Sequence, residues 1–588
     1  MSPRGAAFET DRPRALLVSR RGRAHVGEPL FERGPQVTLA RNRVHLGEGR
    51  IALCRIDPRG ATPLVDLGRS DRVTDVIAAL VADRGLRESF PKRLEADAVT
   101  AAETGVAVAP RTDLTALPTF TVDPETARDF DDAVSARRES DGVRLWIHIA
   151  DVSAHVRPGS GLDRAAYERA NSTYAPGMVV PMLPRALSDE ACSLNPGLER
   201  AAVTAEIELS GSGTPRSTRF YRSLIRSDAR LDYGQLDRIF AGKEKAPELV
   251  AEPITIARDA AAAIDAARSS EGLVVSGSEP DFEISSDGEV VAAHSVEQTE
   301  SHRLIERLMV LTNEQVAELL ERKQVPTLYR VHEAPSPARI ALLIDQLDSL
   351  DLATPPVPEG MTPSDAGELA AAASRLVAEE VKRRGHGGRG LSSLILRSMK
   401  AAVYSEENSG HAGLGSAAYA HFTSPIRRYP DLIAHRGLLS TLGAGEVAPD
   451  RHEVALAAVQ CSELERASMR IERDADDVCA AFLLERELFE RGSEVEFEGE
   501  VSGVIGAGAF IIFAGEKADC YEGFLPARRV RGERLELNEF ETALIATGSG
   551  KRIGVGDRVA VSVDRVEKAR GRVDLLPADR GDRRGGRS

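Results

Sequence analysis

The sequence predicts an α+β fold, with a central region of mixed sheet and helices flanked at each end by a small β-barrel. Three observations predict it. Ala15 to Leu67 alternates short Val/Leu/Ile runs with Gly and Pro punctuation, the texture of closely spaced strands and turns. After Gly492 the same texture returns, in Val495 to Phe513, Tyr521 to Pro526 and Val555 to Asp564, each broken or bounded by glycines. Between these ends, helix-spaced stripes such as Leu304, Leu308 and Leu311 alternate with strand-like stretches such as Val143 to Ile149. In the latter, Val143, Leu145, Ile147 and Ile149 share one face at period two.

Taken in order, residues 1–14 are polar and expected to be mobile, and 15–70 form the first barrel. Residues 71–110 make a helical connection carrying the Val73, Ile77, Leu80 spacing. The central region, 111–490, opens on a strand at Leu117 to Val122 and holds helices over 161–172, 249–268, 296–323 and 453–488. Trp146, the only tryptophan, is expected to pack. The Pro- and Gly-rich stretch Thr354 to Gly367 reads as a surface connection, with Thr362 and Pro363 suited to the cap and first position of an Ala-rich helix. Residues 491–576 form the second barrel and 577–588 a basic tail.

At 588 residues the chain has material for three or four domains and a large core. No apolar run approaches the ~20 residues needed to cross a bilayer, and no signal-peptide core follows Met1, so a cytoplasmic monomer without membrane contact is expected. Its five cysteines, Cys54, Cys192, Cys461, Cys479 and Cys520, are scattered without Cys-x-x-Cys spacing, which points to neither a zinc site nor a disulfide framework. The net charge of -15 argues against a broadly positive surface. Basic residues are nevertheless clustered at Arg216 to Arg230, Lys382 to Arg384, Arg427-Arg428, Arg528 to Arg531 and Arg580 to Arg587, so net charge alone does not exclude nucleic acid.

The densest chemistry lies at Thr121-Val-Asp-Pro-Glu-Thr-Ala-Arg-Asp-Phe-Asp-Asp132, where Asp123, Asp129, Asp131 and Asp132 fall within ten residues. Two carboxylates about 4 Å apart repel by roughly 4 kcal/mol at an effective dielectric near 20, so converging four requires a divalent cation or protonation. Hard oxygen ligands suit magnesium, with manganese as the alternative, sharing its coordination with substrate phosphates. A calcium loop of the EF-hand kind fails on spacing, because Arg128 stands where Gly is needed and Val134 where the bidentate Glu belongs. Nor does Thr126-Ala-Arg128 make the apolar strand that would present an aspartyl nucleophile. Spacing alone leaves a solvated acidic loop and a cation site both open.

A second constellation lies nearly three hundred residues downstream: Tyr419-Ala-His-Phe-Thr-Ser-Pro-Ile-Arg-Arg-Tyr429-Pro-Asp-Leu-Ile-Ala-His435-Arg436. Together the two motifs resemble the RNB family of hydrolytic exoribonucleases, the ribonuclease II and ribonuclease R type. The resemblance continues through Asn171-Ser-Thr-Tyr174-Ala-Pro, Pro181-Met-Leu-Pro184, Leu187-Ser188, Cys192-Ser-Leu194, Tyr329-Arg-Val-His332-Glu333 and Asn408 to Gly415, in the family's order over roughly residues 90 to 490.

That resemblance implies an RNB catalytic domain flanked by OB-fold barrels, the first of cold-shock type. It also implies processive 3′ to 5′ hydrolysis of single-stranded RNA to 5′-nucleoside monophosphates in RNA turnover. Asp123, Asp129 and Asp132 then correspond to magnesium ligands, and Asp131 to the carboxylate that contacts the 3′ end or orders the attacking water. Arg427 corresponds to the donor that stabilises phosphoryl charge, Tyr174 to the aromatic stacked on the terminal base, and Glu472 to an acidic contact on the terminal ribose. His411, His421 and His435 are read as satisfied buried histidines. The family's second clamping aromatic would fall near His332 to Pro335, where this chain has none. The last barrel resembles the RNA-binding OB-fold, with Phe510, Phe513, Tyr521 and Phe524 as base-stacking candidates against core packing. Two other classes compete. A non-catalytic OB-fold RNA-binding protein would not need the aspartate quartet, and a magnesium-dependent phosphomonoesterase would not need two RNA-binding barrels.

Overall fold

Five short strands form the first sheet, in the order Val37–Thr38, Ala24–Pro29, Arg14–Arg21, Arg50–Asp57, Gly60–Arg69, all antiparallel. A parallel bridge between Leu39 and Ala61 joins the two edges, with the Ala40 N–H donating to the Ala61 carbonyl at 2.8 Å, and rolls the sheet towards a barrel. The close approach needs Gly60, at φ +144°, since an added Cβ would lie 2.6 Å from the Thr38 carbonyl oxygen. Leu16, Val18, Ala52, Cys54 and Ile56 fill its interior. The structure is a computed structural model and describes residues 12–40, 44, 46–104, 110–268, 273, 279–296, 298–492, 494–530 and 533–578. The expected mobile start and basic tail therefore lie almost wholly outside the described residues.

Helices Val73–Asp83 and Lys92–Thr104 lead into a seven-stranded mixed sheet. Its order is Ala229–Asp232, Phe120–Asp123, Asp132–Glu139, Gly142–Ala150, Glu199–Leu209, Pro215–Arg226, Thr112–Asp113, and the outermost pair at each edge is parallel. Leu145, Ile147 and Ile149 turn one face towards helices Ala251–Arg268 and Glu300–Lys323, whose Leu304, Leu308 and Leu311 stripe packs into the same core. Trp146, on the opposite face, is buried beneath the Arg137 guanidinium, 5.3 Å from its ring centroid. Across the sheet a second core gathers Phe130, Val152, Leu187, Ile426, Tyr429 and Leu432.

Of the expected helices, 161–172 is seen as Gly161–Arg169 and 453–488 as Arg451–Arg491. Thr362 caps helix Pro363–Arg384 through a reciprocal bond pair with Asp365, a capping box. Helices Pro337–Asp348, Gly388–Ser398 and Tyr429–Thr441 were not anticipated. The last begins on Tyr429-Pro430 and is buried on every side from Tyr429 to Leu439, so it carries no amphipathic stripe to read.

The final strands close a barrel in the order Glu496–Ile505, Gly508–Phe513, Tyr521–Pro526, Arg572–Pro577, Arg558–Glu567. It docks on the long helix Arg451–Arg491 through the buried carboxylate of Glu487, which accepts from the Glu516 N–H at 2.8 Å and the Tyr521 hydroxyl at 3.0 Å. This corrects the reading of Phe513 and Tyr521 as base-stacking residues. Both are fully buried, Phe513 against Phe497 and Tyr521, and the Tyr521 hydroxyl is occupied by the docking contact. Phe510 and Phe524 lie on the outward face, with ring centroids 5.2 Å apart.

Candidate active site

Strand Phe120–Asp123 ends on Asp123 and strand Asp132–Glu139 begins on Asp132, so the intervening loop carries the quartet at the sheet's end. Phe130 anchors that loop by pointing inward, while Ser193 clamps it from below. The Ser193 hydroxyl accepts from the Phe130 N–H at 3.0 Å and donates to the Arg128 carbonyl at 2.7 Å. Arg230 holds the outer side, donating to the Pro124 and Glu125 carbonyls at 3.2 and 2.5 Å, with its guanidinium 5.0 Å from the Phe130 ring. The Cys192-Ser-Leu194 motif thus serves to shape the aspartate loop.

The downstream motif folds as a tight turn into helix Tyr429–Thr441. Buried Asp431 accepts from the Ser424 N–H and from the Arg428 guanidinium, both at 2.8 Å. That turn aims the Ile426 N–H at Asp131, whose Oδ1 accepts it at 2.8 Å, and brings the Arg427 guanidinium to 3.6 Å from Asp131 Oδ2. Arg428 is committed to Asp431, whereas the Arg427 side chain is 46% exposed.

The strand bridge between Asn171 and Arg428, with the Ser172 N–H on the Arg427 carbonyl at 2.9 Å, places the Tyr174 hairpin beside Arg427. Tyr174 donates its backbone N–H to Glu472 Oε1 and its phenol to Asp129 Oδ2, each at 2.8 Å. Asp123, Asp129, Asp131, Asp132, Arg427, Tyr174 and Glu472 therefore converge. His421 meets the Tyr404 hydroxyl, His435 donates to the Phe422 carbonyl and His411 accepts from the Leu414 N–H, so all three histidines are engaged structurally.

Electrostatics mark the convergence. Burial raises the Asp123 carboxyl above the ordinary carboxylate range, and the charges of Asp132 and Asp129 add to the rise against Arg230 and Arg427. Asp132 is raised by burial, opposed by Arg427 and Arg428. Asp131 is raised by burial too, opposed by Arg427 and the Ile426 N–H. Among the described residues, Asp123 Oδ2 and Asp131 Oδ2 are buried without a hydrogen-bond partner. Such orphaned carboxylate oxygens fit a divalent cation. Among the described residues no three Asp, Glu, His or Cys side chains form a ready-made metal cage.

The raised carboxyls give a stability prediction for the cation-free protein. A carboxyl whose folded pKa exceeds its unfolded value of about 4 binds more protons folded than unfolded, so stability falls as pH rises from there towards neutrality. In EDTA the melting temperature is expected to fall over this range, and Asp123→Asn to flatten the fall. An unchanged slope in the variant would show that Asp123 is not held neutral by its surroundings.

Sequence reasoning missed Tyr233. Strand Ala229–Asp232 pairs in parallel with Phe120–Asp123, Asp232 opposite Asp123, and delivers the next residue to the quartet. Burial raises the Tyr233 phenol, followed by the charges of Asp132 and Asp123, and its ring stacks on His302 at 3.9 Å. The available signal was Asp232, which caps helix Tyr233–Phe240 by accepting from the Gln235 N–H. No aromatic stands at His332 to Pro335: His332 packs against His411, and Phe282, which borders the cleft, is buried in the core. That cleft, about 1770 Å³, runs from Thr126–Asp129 past Tyr174 and Glu472 to Phe510 and Phe524 of the last barrel.

Fold and site together define an α+β protein whose carboxylate-rich centre opens into a long cleft bounded by a small barrel. Residues 111–444 match the RNB domain, and the chain belongs to the RNB family. It is similar to Ribonuclease R of Escherichia coli (strain K12), with 33% identity over 526 residues covering 86% of this chain and 60% of the relative. Ribonuclease R of Aquifex aeolicus (strain VF5) is 32% identical over 548 residues, 90% of this chain and 75% of that one. The structure of Mycoplasma genitalium RNase R in complex with ribose methylated single-stranded RNA superposes with a TM-score of 0.84 at 25% identity, covering 96% of this chain and 90% of that one. The chain thus spans about three-fifths of the length of the Escherichia coli relative. Among the described residues no helix is long and apolar enough to cross a membrane.

Proposed function

We propose that this chain is a processive 3′ to 5′ exoribonuclease that hydrolyses single-stranded RNA to 5′-nucleoside monophosphates, acting as a monomer in cytoplasmic RNA turnover. The observation that carries the reading is the 2.8 Å bond from the Ile426 N–H to Asp131, which makes one centre of two motifs with no shared role in an acidic loop or a simple binding module. The names of the relatives and the RNA bound in the Mycoplasma genitalium structure support the same substrate class.

Asp123, Asp129 and Asp132 would hold magnesium or manganese. Bound there, the cation would supply charge neutralisation at the scissile phosphate and a lowered pKa for water. Asp131 contacts the 3′ end or orders the attacking water, kept in place by the Ile426 N–H. Arg427, free of the carboxylate that occupies Arg428, presents a fork of donors to the phosphoryl oxygens. The Tyr174 ring offers any terminal base a π-face, and the carboxylate of Glu472, whose Oε1 accepts the Tyr174 N–H in the same cleft, would contact a ribose hydroxyl. Tyr233 walls the quartet, and Phe510 and Phe524 stack bases where the cleft reaches the barrel. A cleft of about 1770 Å³ has room for several nucleotides, which supports processivity.

The test is a 5′-labelled oligoribonucleotide incubated with magnesium. Release of mononucleotides from the unlabelled end supports the proposal. A retarded but intact band means an RNA-binding module, and inertness with activity on small phosphate esters means a phosphomonoesterase.

A further inference from the structure

Tyr174 is held on three sides. Its neighbour Thr173 shares a buried hydroxyl contact with Ser468 of the long helix at 2.8 Å, its N–H is taken by Glu472, and its strand pairs with Met178–Val180. A backbone fixed this firmly gives the Tyr174 side chain a rigid base. Asp129 is the opposite case: Ser193 pins the backbone on either side of it, yet among the described residues the only hydrogen bond to its carboxylate comes from the Tyr174 phenol. Without that bond the carboxylate would be free to rotate in a half-open loop. A carboxylate with one donor on one oxygen keeps its other lone pairs for a cation.

We infer that Tyr174 is a positioning residue for Asp129, its phenol fixing the carboxylate while its ring serves the terminal nucleotide, so that one side chain joins the nucleotide pocket to the cation-binding carboxylates. This rests on the proposed cation role of Asp129. Hydrogen bonds behind a metal-ligating carboxylate are worth about 10- to 100-fold in metal affinity. Stacking belongs to the ring alone and survives loss of the hydroxyl.

The experiment is Mn²⁺ binding by the full chain, read from the electron paramagnetic resonance signal of the free ion, beside affinity for a 3′-hydroxyl oligoribonucleotide in EDTA. Tyr174→Phe should weaken Mn²⁺ binding by about tenfold and leave RNA affinity within about twofold. The magnesium concentration for half-maximal turnover should rise by a similar factor, with KM for RNA unchanged. Tyr174→Leu, which removes ring and phenol together, should weaken both affinities. Unchanged Mn²⁺ affinity in Tyr174→Phe would overturn the inference, and tighter binding would overturn it by making the phenol a competitor of the ion. Asp129→Asn separates the two levels. If it weakens Mn²⁺ binding while Tyr174→Phe does not, only the inference fails; if it binds Mn²⁺ like the parent, the cation role of Asp129 fails with it.

Discussion

Asp131→Asn is expected to fold, to bind single-stranded RNA like the parent, and to turn it over about 10³- to 10⁴-fold more slowly. The amide oxygen of Asn can still accept the Ile426 N–H, so the joint between the two motifs survives. What disappears is the negative charge on the Oδ2 side, 3.6 Å from Arg427. That charge is buried and destabilised by its surroundings, so its loss should not weaken the cation-free fold. A neutral amide can neither take a proton nor hold an anion-facing water in the same way. Single-turnover rates at saturating magnesium, with RNA affinity in EDTA and a thermal melt as controls, provide the check. Turnover within tenfold of the parent would remove Asp131 from the chemistry.

The next largest effect is expected at Arg427. Arg427→Lys keeps the charge but loses the planar fork, and should slow hydrolysis by about 10²- to 10³-fold with little change in KM. The contrast one residue on is informative. Arg428 is committed to buried Asp431, and the same change there should lower the melting temperature more than it lowers kcat on whatever protein remains folded. If Arg428→Lys slowed chemistry while Arg427→Lys spared it, the assignment of the two guanidiniums would have to be exchanged.

Residue strings made much of the site legible. The quartet stood out by its spacing, while Arg427, Tyr174 and Glu472 were singled out through the family resemblance of their motifs; the helical stripe through Leu304, Leu308 and Leu311 was readable from its period. Other features depend on partners that no local pattern encodes. Tyr233 reaches the quartet only through the parallel pairing of Asp232 with Asp123. Helix Tyr429–Thr441 hides because a segment buried on all sides has no polar face to set its phase. In the last barrel, period two already puts Phe510 and Phe513 on opposite faces, and Tyr521 and Phe524 likewise. Which member of each pair turns inward is read only from the packing: Tyr521 donates its hydroxyl to Glu487, 34 residues away in sequence on the long helix, and Phe513 packs on Tyr521 and Phe497.

The central claim is that one centre, assembled from the aspartate loop and the Arg427 turn, removes nucleotides from the 3′ end of RNA. It is tested most directly by following 5′-labelled oligomers of equal length under single turnover: RNA with a free 3′ end, the same RNA with a blocked 3′ end, and all-DNA. The account predicts stepwise shortening of the free RNA with release of 5′-mononucleotides, and little cleavage of the blocked or DNA strands, because a terminal-nucleotide pocket bearing Glu472 selects both the end and the ribose. Equally rapid degradation of the blocked strand, or internal fragments from the free one, would contradict it.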